Sequence, residues 1–307
     1  MKVPFADLHC DTVTECFKRR LDLWENDLFL SFSKAKFEKY LQVAAIFIPD
    51  ELRGEDAYSY YRRNMDFLKS QIEKHSDKFI LIKSKSDLKR AEESGKIGIV
   101  AAVEGLGFEK NLDRLQKIIE NDCIKFATLT WNGENYIAGG AYSDSGLTSY
   151  GKEALAVLKE HKVIADVSHL NEKSFYGVLE YAQGKIVATH SLSYSVFPHK
   201  RNLKDHQIKA LYEKKGLVGL NLYPDFIKGK DCVASEVFPH IEKLVSLTGY
   251  DFLGFGGDFD GADMPSDLKG IEDMDGFLED LKAFLKDDKA FLNIAYNNVR
   301  NFIYDAF

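Results

Sequence analysis

Residues 97–104 read Ile97-Gly98-Ile99-Val100-Ala101-Ala102-Val103-Glu104. Seven positions pass without a polar side chain, so the alternation of a strand with one wet face is absent. Such a run reads as a strand covered on both faces, the environment of a parallel sheet, and it ends on a carboxylate. Seven further runs share this character, each rich in β-branched or aromatic residues and bounded by turn or charge signals. They cover 5–10, 42–48, 125–131, 163–169, 185–190, 216–223 and 252–258. Between most of them the apolar residues fall at helical spacing, over 57–74 (Tyr60, Tyr61, Met65, Phe67, Leu68, Ile72), 113–121, 151–161, 172–182, 205–214 and 239–248. Asn171, three ahead of Ser174, and Lys204-Asp205 read as helix starts, and Gly184 and Gly216 as residues past helix ends. Eight alternating β and α units predict an α/β fold, a (β/α)8 TIM barrel filling residues 1–307 as one catalytic domain. A C-terminal helix over 290–307 is expected to pack outside the barrel. Residues 12–39, with Trp24, Phe29, Phe32 and Phe37, fit either a first helix or an aromatic-rich insertion over the barrel mouth.

Composition agrees with one large core: 307 residues, 45% hydrophobic, with only 6 prolines. The net charge of −7 comes with Lys and Arg interspersed among Asp and Glu. No basic stripe is available, so nucleic acid is not expected as a partner. No basic segment followed by an apolar one opens the sequence, and no apolar run approaches the roughly 18 residues of a membrane span. The four cysteines show no CxxC spacing. Together these features predict reduced thiols, no membrane association and a cytoplasmic protein.

In such barrels the chemistry lies at the C-terminal ends of the strands. The first run ends in His9-Cys10-Asp11, the third in Glu104, the fifth in Asp166-Val167-Ser168-His169, the sixth in His190 and the eighth in Asp258-Phe259-Asp260. Imidazoles and carboxylates therefore converge on one rim, whereas His75, His161, His199, His206 and His240 sit in polar or helical surroundings and read as exposed. The set exceeds what one tetrahedral ion with an open position requires. Two divalent ions fit it better, with His9 and Asp11 on the first, His169 and His190 on the second, and Glu104 between. Ions about 3.5–4 Å apart share a water and bring its pKa toward 7.

These residues resemble the membrane (renal) dipeptidase family, zinc dipeptidases of the metallo-dependent hydrolase superfamily. The resemblance is carried by Asp7-Leu8-His9-Cys10-Asp11-Thr12, Val103-Glu104-Gly105, residues 147–151, 164–169 and 189–191, Arg201-Asn202-Leu203, residues 219–223 and residues 254–261, in order along the chain. It implies two Zn²⁺ ions and cleavage of dipeptides, L,L or L,D, by a metal-bridging hydroxide. His9, Asp11, Glu104, His169 and His190 match the family's metal ligands. Arg201 matches the arginine that receives the substrate carboxylate, Asp258 the proton-shuttling aspartate, and Tyr223 a residue lining the pocket. The family also suggests a homodimer. One position departs: where relatives carry a histidine after Leu-Thr, this chain has Trp131 in Leu129-Thr130-Trp131-Asn132. An indole offers one N–H donor, no charge and no acceptor, so it replaces an oxyanion donor only if its ring tilts suitably. The sequence therefore also admits a related binuclear metallohydrolase of N-acyl amino acids or other amides and esters, and an inactive metal-bound barrel.

Overall fold

The computed structural model describes residues 2–307, and every residue of the run 97–104 is buried in it. That run is β4 of nine strands: β1 Phe5–Cys10, β2 Tyr40–Phe47, β3 Phe79–Leu81, β4 Ile97–Glu104, β5 Phe126–Thr128, β6 Ile164–Asp166, β7 Ile186–Ser191, β8 Val218–Leu220 and β9 Leu253–Phe255. All pairings between them are parallel. Eight strands close a ring in the order β1-β2-β4-β5-β6-β7-β8-β9, with β9 returning to β1, which is the predicted TIM barrel. The ninth, β3, pairs with the first three residues of β4 (Phe79 with Ile97 to Leu81 with Ile99). β5 takes the last three (Ala102 with Phe126 to Glu104 with Thr128). Because β2 occupies the other edge of β4 from Gly98 to Glu104, β3 fills the edge that the short β5 leaves free.

Sequence reading missed β3 and the helix Lys85–Ser94 that follows it. Three residues give no periodic signal, and that helix buries only Leu88 and Ala91. Its start is nonetheless marked, since the Ser84 hydroxyl caps it by accepting the Asp87 N–H at 3.2 Å. The Asn171 cap is present as expected, accepting the Ser174 N–H at 2.8 Å. Both readings of 12–39 hold in part. Thr12–Arg19 is a helix, and beyond it Phe32 and Trp24 meet the ring of Phe79 edge-on at 5.2 and 5.8 Å. Leu28 and Phe29 reach the barrel mouth.

The C-terminal segment is helical through Asp288–Leu292, a π-helical turn Asn293–Asn297 and Asn298–Tyr304. It lies across the N-terminal end of the barrel instead of along its flank. Tyr296, Val299, Phe302 and Ile303 join the cluster of Ala6, Leu41, Phe126, Ile164 and Leu217. Backbone and helix approach closely here, because a Cβ on Gly254 would stand 2.3 Å from Val299 Cγ2. The barrel floor is thus apolar and plugged, which leaves the opposite end for chemistry. No helix among the described residues is long and apolar enough to cross a membrane.

Candidate metal centre and substrate cavity

Several strands stop earlier than their apolar runs suggest. Trp131, His169, Tyr223 and Asp258 each sit three residues past the ends of β5, β6, β8 and β9. His169 and Asp258 adopt left-handed backbone, φ 68° and 63°, which costs a non-glycine residue about 1–2 kcal/mol. This turn swings both side chains over the barrel axis. Gly261 keeps the space clear, since a Cβ there would meet Asp11 Oδ2 at 2.1 Å and Asp258 Oδ1 at 2.6 Å.

All five predicted ligands meet at this mouth. The two oxygens of Glu104 face different partners: Oε2 lies 3.4 Å from His9 Nε2, and Oε1 lies 2.8 Å from His169 Nε2 and 3.8 Å from His190 Nε2. His9 Nε2 is also 3.5 Å from Asp11 Oδ2 and 3.8 Å from Asp258 Oδ1. The ligand atoms of His9, Glu104 and His190, and those of His9, Asp11 and Asp258, each cluster within 4.8 Å.

Supporting residues set which nitrogen of each ring faces inward. Asp166 accepts the Thr189 hydroxyl at 2.6 Å, and Thr189 Oγ1 lies 2.8 Å from His190 Nδ1. With its hydroxyl proton given to Asp166, Thr189 can only accept, so His190 carries its proton on Nδ1. Asn132 Oδ1, 3.0 Å from His169 Nδ1, does the same for His169. Both Nε2 lone pairs then point inward, 2.8 Å apart. Two facing lone pairs, with His9 Nε2 and Asp11 Oδ1 buried and without hydrogen-bond partners, form a donor set that fits divalent cations. Asp7 braces the site from below, accepting the N–H groups of His9 at 2.8 Å and Gly257 at 3.0 Å.

Burial dominates the electrostatics. It pushes the Glu104 carboxyl up to about 7, with Asp11 adding repulsion, and the Asp258 carboxyl up to about 6. Burial holds His169 and His190 well below the ordinary imidazole range, with Arg201 and His9 contributing. Burial also opposes the charged form of His9, but the carboxylates of Glu104 and Asp11 outweigh it and hold that ring well above the ordinary range.

Arg201, Tyr223 and Trp131 line the same cavity of about 690 Å³ as Asp11, Glu104, His169 and Asp258. Arg201 is 5% exposed, and its Nε has no hydrogen-bond partner. The guanidinium's one contact among the described hydrogen bonds is a long one from Nη2 to the His190 carbonyl, 3.5 Å. The guanidinium carbon stands 5.3 Å from the centre of the Phe226 ring. Burial opposes the charge of Arg201, and the carboxylates of Asp258 and Glu104 offset part of that cost without forming an ion pair. Tyr223 donates its hydroxyl to Asp225 at 3.0 Å. Trp131 meets Phe47 edge-on, 5.0 Å between ring centres.

Four of the five histidines read as exposed are not: His75 and His161 have side chains only 18% exposed, and neither His199 nor His240 is exposed. His240 is fully buried, because backbone groups satisfy both of its nitrogens: Nδ1 accepts the Ser193 N–H and Nε2 donates to the Ile227 carbonyl. His199 is not a solvent histidine either and lines the cavity. Sequence reading assigned no role to Asn132, Thr189 or Asn221. Asn221 donates to Asp258 Oδ2 at 3.0 Å, and its place at the end of a run was the only signal for it.

A closed parallel barrel with an imidazole and carboxylate centre at its strand ends defines a class, the metal-ligating (β/α)8 barrels. The chain belongs to the membrane dipeptidase family (peptidase family M19), whose model matches residues 1–302. It is 28% identical over 219 residues to the dipeptidase tcpJ of Claviceps purpurea, covering 69% of this chain and 51% of that protein. It is 31% identical over 191 residues to an uncharacterized dipeptidase of Schizosaccharomyces pombe, covering 59% of this chain and 45% of that protein. The chain thus spans about half the length of these two curated relatives. Among solved structures, a metallo peptidase from Rhodobacter sphaeroides, liganded with a phosphinate mimic of L-Ala-D-Ala, superposes with a TM-score of 0.92 at 20% identity over the full length of both chains. The dipeptidase AC, another metallo peptidase of this family, gives 0.92 at 21% identity over 99% of this chain and 98% of that one.

Proposed function

We propose that this protein is a zinc dipeptidase that hydrolyses dipeptides, L,L or L,D, bearing a free C-terminal carboxylate. The observation that carries the reading is the buried guanidinium of Arg201, in no ion pair within 4 Å among the described residues, in one cavity with Asp11, Glu104 and His169 of the ligand cluster. The dipeptide mimic bound by the Rhodobacter sphaeroides relative supports the same substrate class. His9 and Asp11 would hold one Zn²⁺, His169 and His190 the other, and Glu104 would offer one oxygen to each. When bound, such ions polarise a carbonyl and make hydroxide available near neutral pH.

The remaining steps belong to side chains of this chain. Arg201 pairs with the substrate carboxylate through charge-assisted hydrogen bonds, which fixes the C-terminal end of the substrate and sets the peptide carbonyl toward Glu104. Asp258 takes the proton of the attacking water on Oδ1, the oxygen facing His9, and passes it to the leaving amine. Asn221 holds Oδ2 throughout. A carboxyl raised to about 6 by burial suits a group that must gain and lose a proton near neutrality. Four free cysteines, three of them buried, support a reducing, cytoplasmic setting. The clamp would also hold an N-acyl amino acid, and the apolar Trp131–Phe47 pair favours that as a second reading.

The test compares L-Ala-L-Ala with its C-terminal amide on zinc-loaded protein. A charge-assisted pair is worth about 1.5–3 kcal/mol, so the free acid is expected to exceed the amide by roughly 10–100-fold in kcat/KM, and Arg201→Ala to erase most of that gap. Equal rates on acid and amide would overturn the reading.

A further inference from the structure

The cavity lining facing away from Arg201 holds two aromatic rings, Phe47 and Trp131, beside Thr14, Glu15 and Arg19 of the helix Thr12–Arg19. Taken round the barrel, β2 lies four strands from β7, and β4 lies four strands from β8. Arg201 follows β7 and Tyr223 follows β8, so both stand across the mouth from β2 and β4. Phe47 is the last residue of β2, in register with Glu104 on β4. Trp131 follows β5, the neighbour of β4 on its other side. Glu104 is therefore flanked by two rings that meet edge-on, 5.0 Å between centres with 70° between planes. Leu28 and Phe29 line the same cavity.

This segment is anchored to the catalytic loop. Asp260, two residues beyond Asp258, accepts the Phe29 N–H at 2.8 Å and the Thr12 hydroxyl at 2.6 Å. Asp260 is thus a positioning residue for the wall. The charged side chains nearest to it on the helix Thr12–Arg19 are already paired: Glu15 with Lys18 at 3.0 Å, Arg19 with Asp27 at 3.2 Å. With those charges engaged at the rim, the Phe47 and Trp131 rings are the apolar surface beside Glu104.

We propose that Phe47 and Trp131, with Leu28 and Phe29, form the pocket for the side chain of the first residue of the dipeptide, and that they select leucine- or phenylalanine-like residues there. This rests on the dipeptidase reading. A substrate held by its carboxylate at Arg201, with its carbonyl over Glu104, runs across the mouth and brings its first side chain to the far wall. A methylene in an apolar pocket is worth roughly 10–200-fold in specificity.

The experiment measures kcat/KM of the zinc-loaded full chain on L-Xaa-L-Ala and L-Ala-L-Xaa, with Xaa as Gly, Asp, Leu or Phe. The expected result is Leu and Phe above Gly and Asp by at least about tenfold in the first series, with a narrower spread in the second. Phe47→Ala and Trp131→Ala should each lower the Leu-to-Gly ratio of the first series by about tenfold, a ratio insensitive to overall loss of activity. A flat first series, or ratios unchanged in both variants, would overturn the proposal while leaving the dipeptidase reading intact. Absence of turnover on every dipeptide would overturn both. A binding readout stands apart from turnover. The chain has two tryptophans, so Trp24→Phe leaves Trp131 as the only indole. In chelator-treated protein its emission should change with L-Leu-L-Ala at concentrations where Gly-L-Ala has no effect, and identical titrations would contradict the pocket.

Discussion

The two ends of this barrel are made from the same strands and could hardly differ more. At the N-terminal end Phe126, Ile164 and Leu217 meet Val299, Phe302 and Ile303 in a plugged apolar floor. At the C-terminal end the strands gather His9, Asp11, Glu104, His169, His190 and Asp258, and Asp11, Glu104, His169 and Asp258 line a cavity, two of them on left-handed backbone. The floor also bears a groove, larger at about 890 Å³ and lined by Lys159, Lys162, Lys185, Lys214 and Lys215. Several of these lysines sit at or just past the C-terminal ends of helices, where a cation complements the helix dipole, so stability accounts for them. The floor follows the rules of packing, with left-handed backbone at Lys162 and Lys215 just past helix ends, whereas the mouth breaks them by burying charge. Such concentrated violation is expected where function has been placed.

The contrast can be broken by mutation. Glu104→Gln should lower kcat/KM on dipeptides by about a thousandfold or more, because loss of Lewis-acid assistance costs several kcal/mol. The melting temperature of the metal-free variant should not fall, since a buried carboxylate has been removed; a large loss of stability would place Glu104 among structural residues. Phe302→Ala on the floor should do the reverse, costing about 3–5 kcal/mol in denaturant unfolding with kcat unchanged per folded molecule. A loss of kcat there would mean that floor and mouth are coupled. Asn132→Ala frees the His169 ring and should weaken zinc affinity by about 10–100-fold in competitive titration.

The smallest effect is one of pH on metal-free protein. Between about 6.5 and 8, His169 and His190 stay neutral in the folded chain, because their folded pKa values lie below the ordinary 6.5, while the unfolded imidazoles lose at most about half a proton each. Glu104, raised to about 7, titrates there, and His9, raised well above 6.5, holds its proton more tightly than an unfolded imidazole. A raised folded pKa gives stability that is present at lower pH and lost as pH rises through the folded value. The melting temperature of chelated protein should therefore fall from pH 6.5 to 8, and zinc should reverse the fall. A rise over that interval would contradict the electrostatic account.

Much of the mouth was legible because barrel geometry turns a linear pattern into a ring. His9, Glu104 and His190 each end a strand, so reading the last polar residue of each apolar run brought together groups as much as 181 positions apart, from 9 to 190. What stayed hidden depends on geometry that no local pattern encodes. Asn132 and Thr189 matter because of the imidazole nitrogen they face, and Asn221 because of the carboxylate oxygen it holds. His240 looked like a polar helical residue, yet two backbone groups satisfy it in the core. The strand β3 is three residues long, too short for periodicity. The helix at 290–307 was legible as a helix, but its place under the floor follows only from closure of the barrel.

The most direct measurement of the central claim is hydrolysis of L-Ala-L-Ala, L-Ala-D-Ala and L-Ala-L-Ala-L-Ala by zinc-reconstituted protein, alongside a chelated sample. The account predicts cleavage of at least one dipeptide, no cleavage of the tripeptide, and loss of all turnover with the chelator. Dipeptide cleavage that persists in the chelated protein, or tripeptide cleavage at a comparable rate, would contradict it.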